Sequence, residues 1–425
     1  MYSVDQRNVS TITAEKEWND SNEKEALMHT IHTYPAKFPA FIAQKAFEYA
    51  QNEGVDVKSV ADVFCGCGTV ALEAKLHNVD FWGCDINPVA TLIARTKSKY
   101  YDHTLLEKYY KEIEACYKNC KFTSDVYEKA PERLQYWYVE KNYIDLYSLK
   151  GSISQVIRDN SAYFDAFICI FSSILKASSK WLTKSIKPQI DPKKKVLDVW
   201  SLFSSQYRKF YNAVEQINSQ GLEKTVTTIE DGNFLQIKQL PTVDMIISSP
   251  PYVTSYEYAD LHQLSTLWLG YAKDYRELRK GSIGSVYNSE SFIFDMKELN
   301  SVGREIISNL QISNNNKLNA KIRAVARYYC DIQHALHRCA QMINNGGMAF
   351  FVVGDTEYKG VQIKNSEHLI STLQTEGFTD IKATKRIISN KLCIPYRDNS
   401  GRFSSDKTKR TIYHEEYIIS ARLWA

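Results

Sequence analysis

The residues best equipped for chemistry fall into three short groups. Ser249-Pro250-Pro251-Tyr252 follows the apolar run Val243-Asp244-Met245-Ile246-Ile247, so a buried strand stops at a rigid turn poor in backbone donors. A strand that ends this abruptly is presenting something. Cys65-Gly66-Cys67-Gly68-Thr69 lies between strand-like Val60-Ala61-Asp62-Val63-Phe64 and a helical stretch, and its glycines let backbone N–H groups approach a ligand that a side chain would exclude. A tight structural turn is the alternative reading of those glycines. Asp85 closes the next strand, followed by Ile86-Asn87-Pro88, where an acid is placed to accept hydrogen bonds from a ribose diol. Together the groups point to a nucleoside ligand.

The elements that must position these residues alternate between strand and helix. Strands are expected at Val60 to Phe64 and Phe81 to Ile86, each followed by a helix, at Val70 to Leu76 and Pro88 to Thr96. The alternation breaks over a Tyr-, Lys- and Ser-rich, helix-periodic stretch and resumes at 225–237, 243–252 and 346–355. A helix at Ser366 to Glu376 and two terminal strands complete an α/β fold: a mostly parallel sheet covered on both faces, closed by an antiparallel hairpin. The organisation expected is 1–100 as N-terminal segment and first half of the core, 101–220 as helical insertion, and 221–252 as core continuation. An excursion follows at 253–340, and 341–425 completes the core with a basic hairpin loop. The first thirty residues read as polar and irregular. In such a sheet ligands sit beyond the carboxyl ends of the strands, so Gly66, Asp85, Asp231 and Ser249 converge on one crevice.

Composition excludes several classes. The apolar runs are too short to span a bilayer and the N-terminus lacks a signal-peptide layout, which predicts a cytoplasmic protein with no membrane partner. The nine cysteines are scattered, and neither Cys65/Cys67 nor Cys116/Cys120 has a matching His or Cys pair, so no metal is expected. The net charge is only +4, yet Lys385 to Arg410 holds eight Lys/Arg against two Asp, a candidate polyanion contact or a solvated loop.

Asp62-Val63-Phe64-Cys65-Gly66-Cys67-Gly68-Thr69 and Ser249-Pro250-Pro251-Tyr252 resemble the two hallmark motifs, D-x-F-x-G-x-G-T and S-P-P-Y, of the S-adenosylmethionine-dependent amino-methyltransferases of DNA. The resemblance covers 31–100 and 225–425 and leaves 100–220 unmatched. It implies a Rossmann-like class I methyltransferase fold and S-adenosyl-L-methionine as cofactor. Asp62, Phe64, Cys65, Gly66, Gly68 and Thr69 then belong to the cofactor loop, Asp85 to the ribose and Ile86 to the adenine face, with Asp231 accepting from the adenine amino group. The segment His32-Thr33-Tyr34-Pro35-Ala36-Lys37 resembles the upstream cofactor motif, so Tyr34 and Lys37 join the set and Lys37 pairs with the cofactor carboxylate. Ser249, Pro250, Pro251 and Tyr252 are the catalytic group: the Ser249 side chain and the Pro250 carbonyl accept from a base amine, and Tyr252 stacks on a flipped base.

In the family it resembles, a serine at the first motif position goes mainly with cytosine N4, which the resemblance implies here; adenine N6, a guanine amino group of RNA, and an inert binding subunit are the alternatives. Double-stranded DNA is the partner, held by Tyr256, Arg276, Arg279, Lys280, Arg323 and Arg327 of the excursion and by Arg397, Arg402, Lys407 and Arg410 of the basic loop. Arg323 and Arg327, four apart, share a helix face suited to phosphates. The resemblance also admits a cognate restriction endonuclease encoded nearby, with the protein acting in a restriction-modification pair.

Overall fold

The run from Val243 to Ser248 is buried at every position but Asp244, and mostly apolar, because its strand lies inside a sheet covered on both faces. In the computed structural model every residue is described except 20–23, 36, 38, 121, 159–160, 223–224, 254–256, 286–291, 389–395, 398–405, 407–409, 412–414 and 425; for 396–397 and 410–411 the backbone alone is described. Along the chain the first elements are β1 (Tyr2–Ser3), α1 (Ala40–Asn52), β2 (Ser59–Asp62), α2 (Thr69–Leu76), β3 (Asp80–Asp85) and α3 (Pro88–Ser98). Six helices follow: α4 (His103–Asn119), α5 (Asp125–Glu128), α6 (Glu132–Trp137), α7 (Glu140–Val156), α8 (Ala162–Ile174) and α9 (Val199–Asn218). Then come β4 (Thr227–Asp231), β5 (Val243–Ser248), α10 (Tyr258–Leu261), α11 (Gln263–Leu269), α12 (Ser301–Ser313), α13 (Ala320–Met342) and β6 (Ile343–Val353). The chain closes with β7 (Thr356–Tyr358), β8 (Val361–Ile363), α14 (Asn365–Thr375), β9 (Phe378–Ile387), β10 (Tyr396–Arg397), β11 (Arg410–Thr411) and β12 (Glu415–Leu423).

Eight strands form the main sheet in the order β1-β9-β12-β6-β5-β2-β3-β4. The five from β6 to β4 are parallel to their neighbours, whereas β12 runs antiparallel between β6 and β9. This is the Rossmann-like α/β arrangement that the sequence leads one to expect, with the terminal antiparallel strands where they were expected. Strand order reverses between β2 and β5, which makes their carboxyl ends the topological switch point. The first thirty residues are less irregular than their polarity suggests: Tyr2 and Ser3 pair with Ala383 and Lys382 on β9, and Val9 and Trp18 are buried. A two-residue strand carries no periodicity, so only its distant partner defines it.

Period-two alternation sorts the strand residues between two cores. Val60, Met245, Ile247, Phe350 and Val352 face α1 and α2, where Phe41, Ile42, Ala46, Phe47 and Ala50 form one buried stripe. Ala61, Ile246, Ala349, Phe351 and Val353 face α12, α13 and α14. The six helices of 101–220 build a third core on the outer side of α2 and α3, joining Leu72, Leu92 and Ile93 to Phe167, Phe171, Phe203 and Phe210, with Trp268 of α11 among them. That core is strongly aromatic: Tyr110 and Tyr207 stack at 4.0 Å and Trp137 and Trp181 at 4.9 Å between ring centroids. Among the described residues no helix is long and apolar enough to cross a membrane.

Candidate active site

The switch point is joined by one hydrogen bond. The Ser248 hydroxyl, at the end of β5, donates to Asp62 Oδ1 at 2.6 Å, and the same oxygen accepts from the Phe64 N–H at 3.1 Å. Asp62 is fully buried, and burial pushes its carboxyl up to about 7, with the nearby Asp85 adding to the rise. Asp62 therefore anchors the glycine loop to the floor of the crevice.

The two glycines of that loop are required for different reasons. Gly66 has φ +48° and its N–H donates to Asp85 Oδ2 at 2.9 Å, while the Tyr34 ring lies 3.7 Å from where a Cβ would stand. Gly68 has φ +74°, and a Cβ there would come within 2.7 Å of both Cα and Cβ of Ala94. The left-handed conformation alone costs a side chain about 1–2 kcal/mol, but the clash with the α3 backbone is the stronger veto. Gly68 thus serves helix packing, where the sequence suggested ligand approach.

Asp85 ends β3 and accepts from two backbone donors, Gly66 N–H and Asn87 N–H, at 2.9 and 2.8 Å. Burial raises its carboxyl to about 6 even though both bonds favour the charged form. Two carboxylate oxygens have room for about four donors, so Asp85 keeps acceptor capacity that a ribose diol fits. The surrounding wall is apolar: Phe64 meets Phe234 edge-on at 6.2 Å, and Ile86 lies against Gly281. Donor set and wall fit a nucleoside cofactor. Asp231 stands beside Asp85 in the sheet register but is already engaged, by the Thr91 hydroxyl and by Arg95 Nη1 at 3.2 Å, with Arg95 also bound to Asp165. Lys37 is likewise engaged: its Nζ is 2.8 Å from Glu25, whose other oxygen caps the Ala40 N–H. Tyr34 stacks on His262 at 4.8 Å, and burial lowers the His262 pKa to about 3, leaving it neutral.

Across the switch point, the Ser249 hydroxyl donates to the Val352 carbonyl at 3.0 Å, which leaves its oxygen as an acceptor toward any further ligand. Pro250 and Pro251 hold the turn. The Tyr252 ring packs over Gly354, and its hydroxyl donates to Glu416 Oε1 at 2.7 Å. Cys65 and Cys84 are buried and their thiols are pushed up by desolvation, so neither supplies a thiolate nucleophile. No metal-binding cluster of three or more His, Cys, Asp or Glu occurs among the described residues.

The residues expected to hold DNA divide. Arg279 is mostly buried, bound to Asp260 at 2.6 Å, and Arg276 is closed back on Asp274. Arg327 pairs with Asp331 at 2.9 Å and lies over the Phe292 ring, so the face it shares with Arg323 is partly committed to internal contacts. Lys280 is exposed. Arg397 and Arg410 oppose each other in the two-stranded β10–β11 ribbon; Tyr256, Arg402 and Lys407 lie outside the described residues. Sequence reading missed Ser248, Gly354, Arg386 and Glu416. Only the doubled serine before Pro250 signalled the first; Gly354 and Glu416 meet Tyr252 from more than 100 residues away, and Arg386 joins through its cross-strand partner Glu416.

No family model matches the chain. It is 24% identical over 373 residues to the Type II methyltransferase M.MvaI of Kocuria varians, covering 81% of this chain and 80% of that protein. Type II methyltransferase M.BsoBI of Geobacillus stearothermophilus is 22% identical over 412 residues, at 84% and 80% coverage, and M.AvaI of a Nostoc species 23% over 386, at 79% and 76%. At 79% or more of the 425 residues, each match extends through 101–220 and Ser249 to Tyr252. Among solved structures, the rRNA methyltransferase aviRa from Streptomyces viridochromogenes covers 96% of both chains at a TM-score of 0.32 and 8% identity, too slight a likeness to carry an argument.

Proposed function

We propose that this chain, a relative of the Type II methyltransferases, methylates the exocyclic amine of a base in double-stranded DNA, and that the base is cytosine, modified at N4. The observation that carries the reading is the Ser248–Asp62 hydrogen bond, which brings the SPPY turn and the glycine loop to one crevice. S-adenosyl-L-methionine, when bound, supplies an electrophilic sulfonium methyl group. Asp85 accepts from the ribose, Gly66 leaves room beside Tyr34, and Phe64 and Ile86 exclude water from the cofactor side.

A base amine is a poor nucleophile because its lone pair is delocalised into the ring. Ser249 Oγ and the Pro250 carbonyl accept its two N–H bonds, draw the nitrogen toward a pyramidal geometry and aim its lone pair. The hydrogen bond from Ser249 to Val352 supports that acceptor role, because it has already spent the hydroxyl proton. Tyr252 stacks on the base, which must leave the duplex to reach it. The nitrogen gains the methyl group and gives up one proton to solvent, and the donor leaves as a neutral thioether. The serine-first motif favours a pyrimidine, with its smaller and less charged pocket. A restriction-modification setting with a cognate endonuclease accompanies this reading.

Incubation with S-adenosylmethionine and unmethylated bacterial DNA, followed by nucleoside digestion and mass spectrometry, tests it. N4-methyldeoxycytidine is the expected product. N6-methyldeoxyadenosine would keep the mechanism and correct the base, and transfer to RNA alone would overturn the DNA assignment.

A further inference from the structure

Tyr252 is held in place from the far end of the chain. Its hydroxyl donates to Glu416 Oε1 at 2.7 Å, and Glu416 Oε2 accepts from Arg386 Nε at 2.8 Å. Glu416 and Arg386 are direct cross-strand partners on β12 and β9, with side chains 13% and 7% exposed. Behind the ring stands Gly354, where a Cβ would come 3.3 Å from Tyr252 Cε2. The Arg386 guanidinium lies 5.9 Å from the Phe41 ring centroid, which ties the pair to α1.

Stability does not account for this arrangement. A buried ion pair roughly breaks even against apolar residues of the same volume, so the pair adds little to the fold that apolar side chains could not. What the pair supplies and an apolar pair cannot is a fixed acceptor for a phenol. Desolvation and the adjacent Glu416 charge both hold the Tyr252 proton on, so the phenol remains a donor across the working pH range.

We propose that Glu416, oriented by Arg386, is a positioning residue for methyl transfer: it fixes the tilt of the Tyr252 ring so that a base stacked on it brings its amine to Ser249 and Pro250. This rests on the methyltransferase reading above. The tether has a second effect. As the nitrogen gains a methyl group the base acquires positive charge, and a phenol hydrogen-bonded to a carboxylate offers it a more electron-rich face.

The test is a double-mutant cycle on the full chain with Tyr252→Phe and Glu416→Gln, following single-turnover transfer of tritiated methyl from S-adenosylmethionine to unmethylated bacterial DNA. Each single variant is expected to slow transfer about tenfold, and the double variant no further, because both break one contact. Cofactor Kd by calorimetry and KM for DNA stay near wild type in both variants, as does the melting temperature of Tyr252→Phe, which a merely structural role would not leave untouched. Multiplicative effects, or a Glu416→Gln variant as fast as wild type, overturn the clamp. Because Glu416→Gln leaves Arg386 without its buried counter-charge and lowers the melting temperature by itself, Tyr252→Phe, which removes one oxygen, decides the matter: transfer at the wild-type rate in that variant overturns the tether. A wild-type chain that methylates no DNA overturns the underlying reading, an outcome distinct from both.

Discussion

The two sides of the switch point solve opposite problems with similar residues. On the β3 side, the partners of Asp85 among the described residues are backbone N–H groups; burial holds it near 6, and those two bonds leave part of its acceptor capacity for a ligand. On the β5 side, the hydroxyls of Ser249 and Tyr252 are each committed to the chain, to Val352 and Glu416. One side keeps capacity in reserve for a ligand; the other spends its donors on itself and presents fixed surfaces. In the proposed reading this division separates binding from chemistry, since a cofactor must be gripped and a flipped base must be aimed.

The division is broken most forcefully by substitutions on the β5 side. Ser249→Ala or Tyr252→Ala should lower turnover by about 10²–10³-fold, comparable to removing one preorganised polar partner from an active site, with cofactor affinity within about twofold. Calorimetry beside a methyl-transfer assay checks this, and a parallel loss of cofactor binding would erase the distinction between the sides. Next, Asp85→Ala should weaken the cofactor about 10–100-fold, the cost of losing hydrogen bonds to a charged group, measured as Kd by calorimetry.

A smaller effect comes from pH. Ribose hydroxyls donate, so they favour the ionised carboxylate; with Asp85 near 6, cofactor affinity should hold above pH 7 and fall as pH drops through 6. At pH 5 the loss should be about tenfold, and Asp85→Asn should abolish this part of the pH dependence. The smallest effect lies outside the crevice: Arg397→Ala should weaken DNA binding about threefold and reduce the salt slope by about one, whereas Arg279→Ala should leave the slope unchanged. Fluorescence anisotropy at several salt concentrations separates the two.

The strands and glycine turns were legible because their signals are local. Val243 to Ser248 announces its own burial, and α3 begins at Asn87-Pro88, whose cap and proline are adjacent in sequence. Engagement by a distant partner was not legible. Nothing near Arg279 or Lys37 shows that Asp260 and Glu25 neutralise them, although Arg327 and Asp331, four apart on one helix, were a readable pair. Gly68 carries the same lesson: its motif is shared with phosphate and nucleoside loops, but the atom that forbids a side chain belongs to Ala94, on the next helix. Glu416 reads as one more surface acid until β12 is placed between β6 and β9.

The aromatic packing of the six-helix segment has an optical consequence. Of the seven tryptophans, Trp137, Trp181 and Trp200 lie in that segment and Trp268 packs against it, while Trp82 sits in the sheet. Indoles stacked at 4.9 Å and 21°, as Trp137 and Trp181 are, couple their transitions and give a paired circular-dichroism band of opposite signs. That band would vanish when the helical segment loosens, whatever the sheet does, so the chain carries its own spectroscopic label for one of its cores.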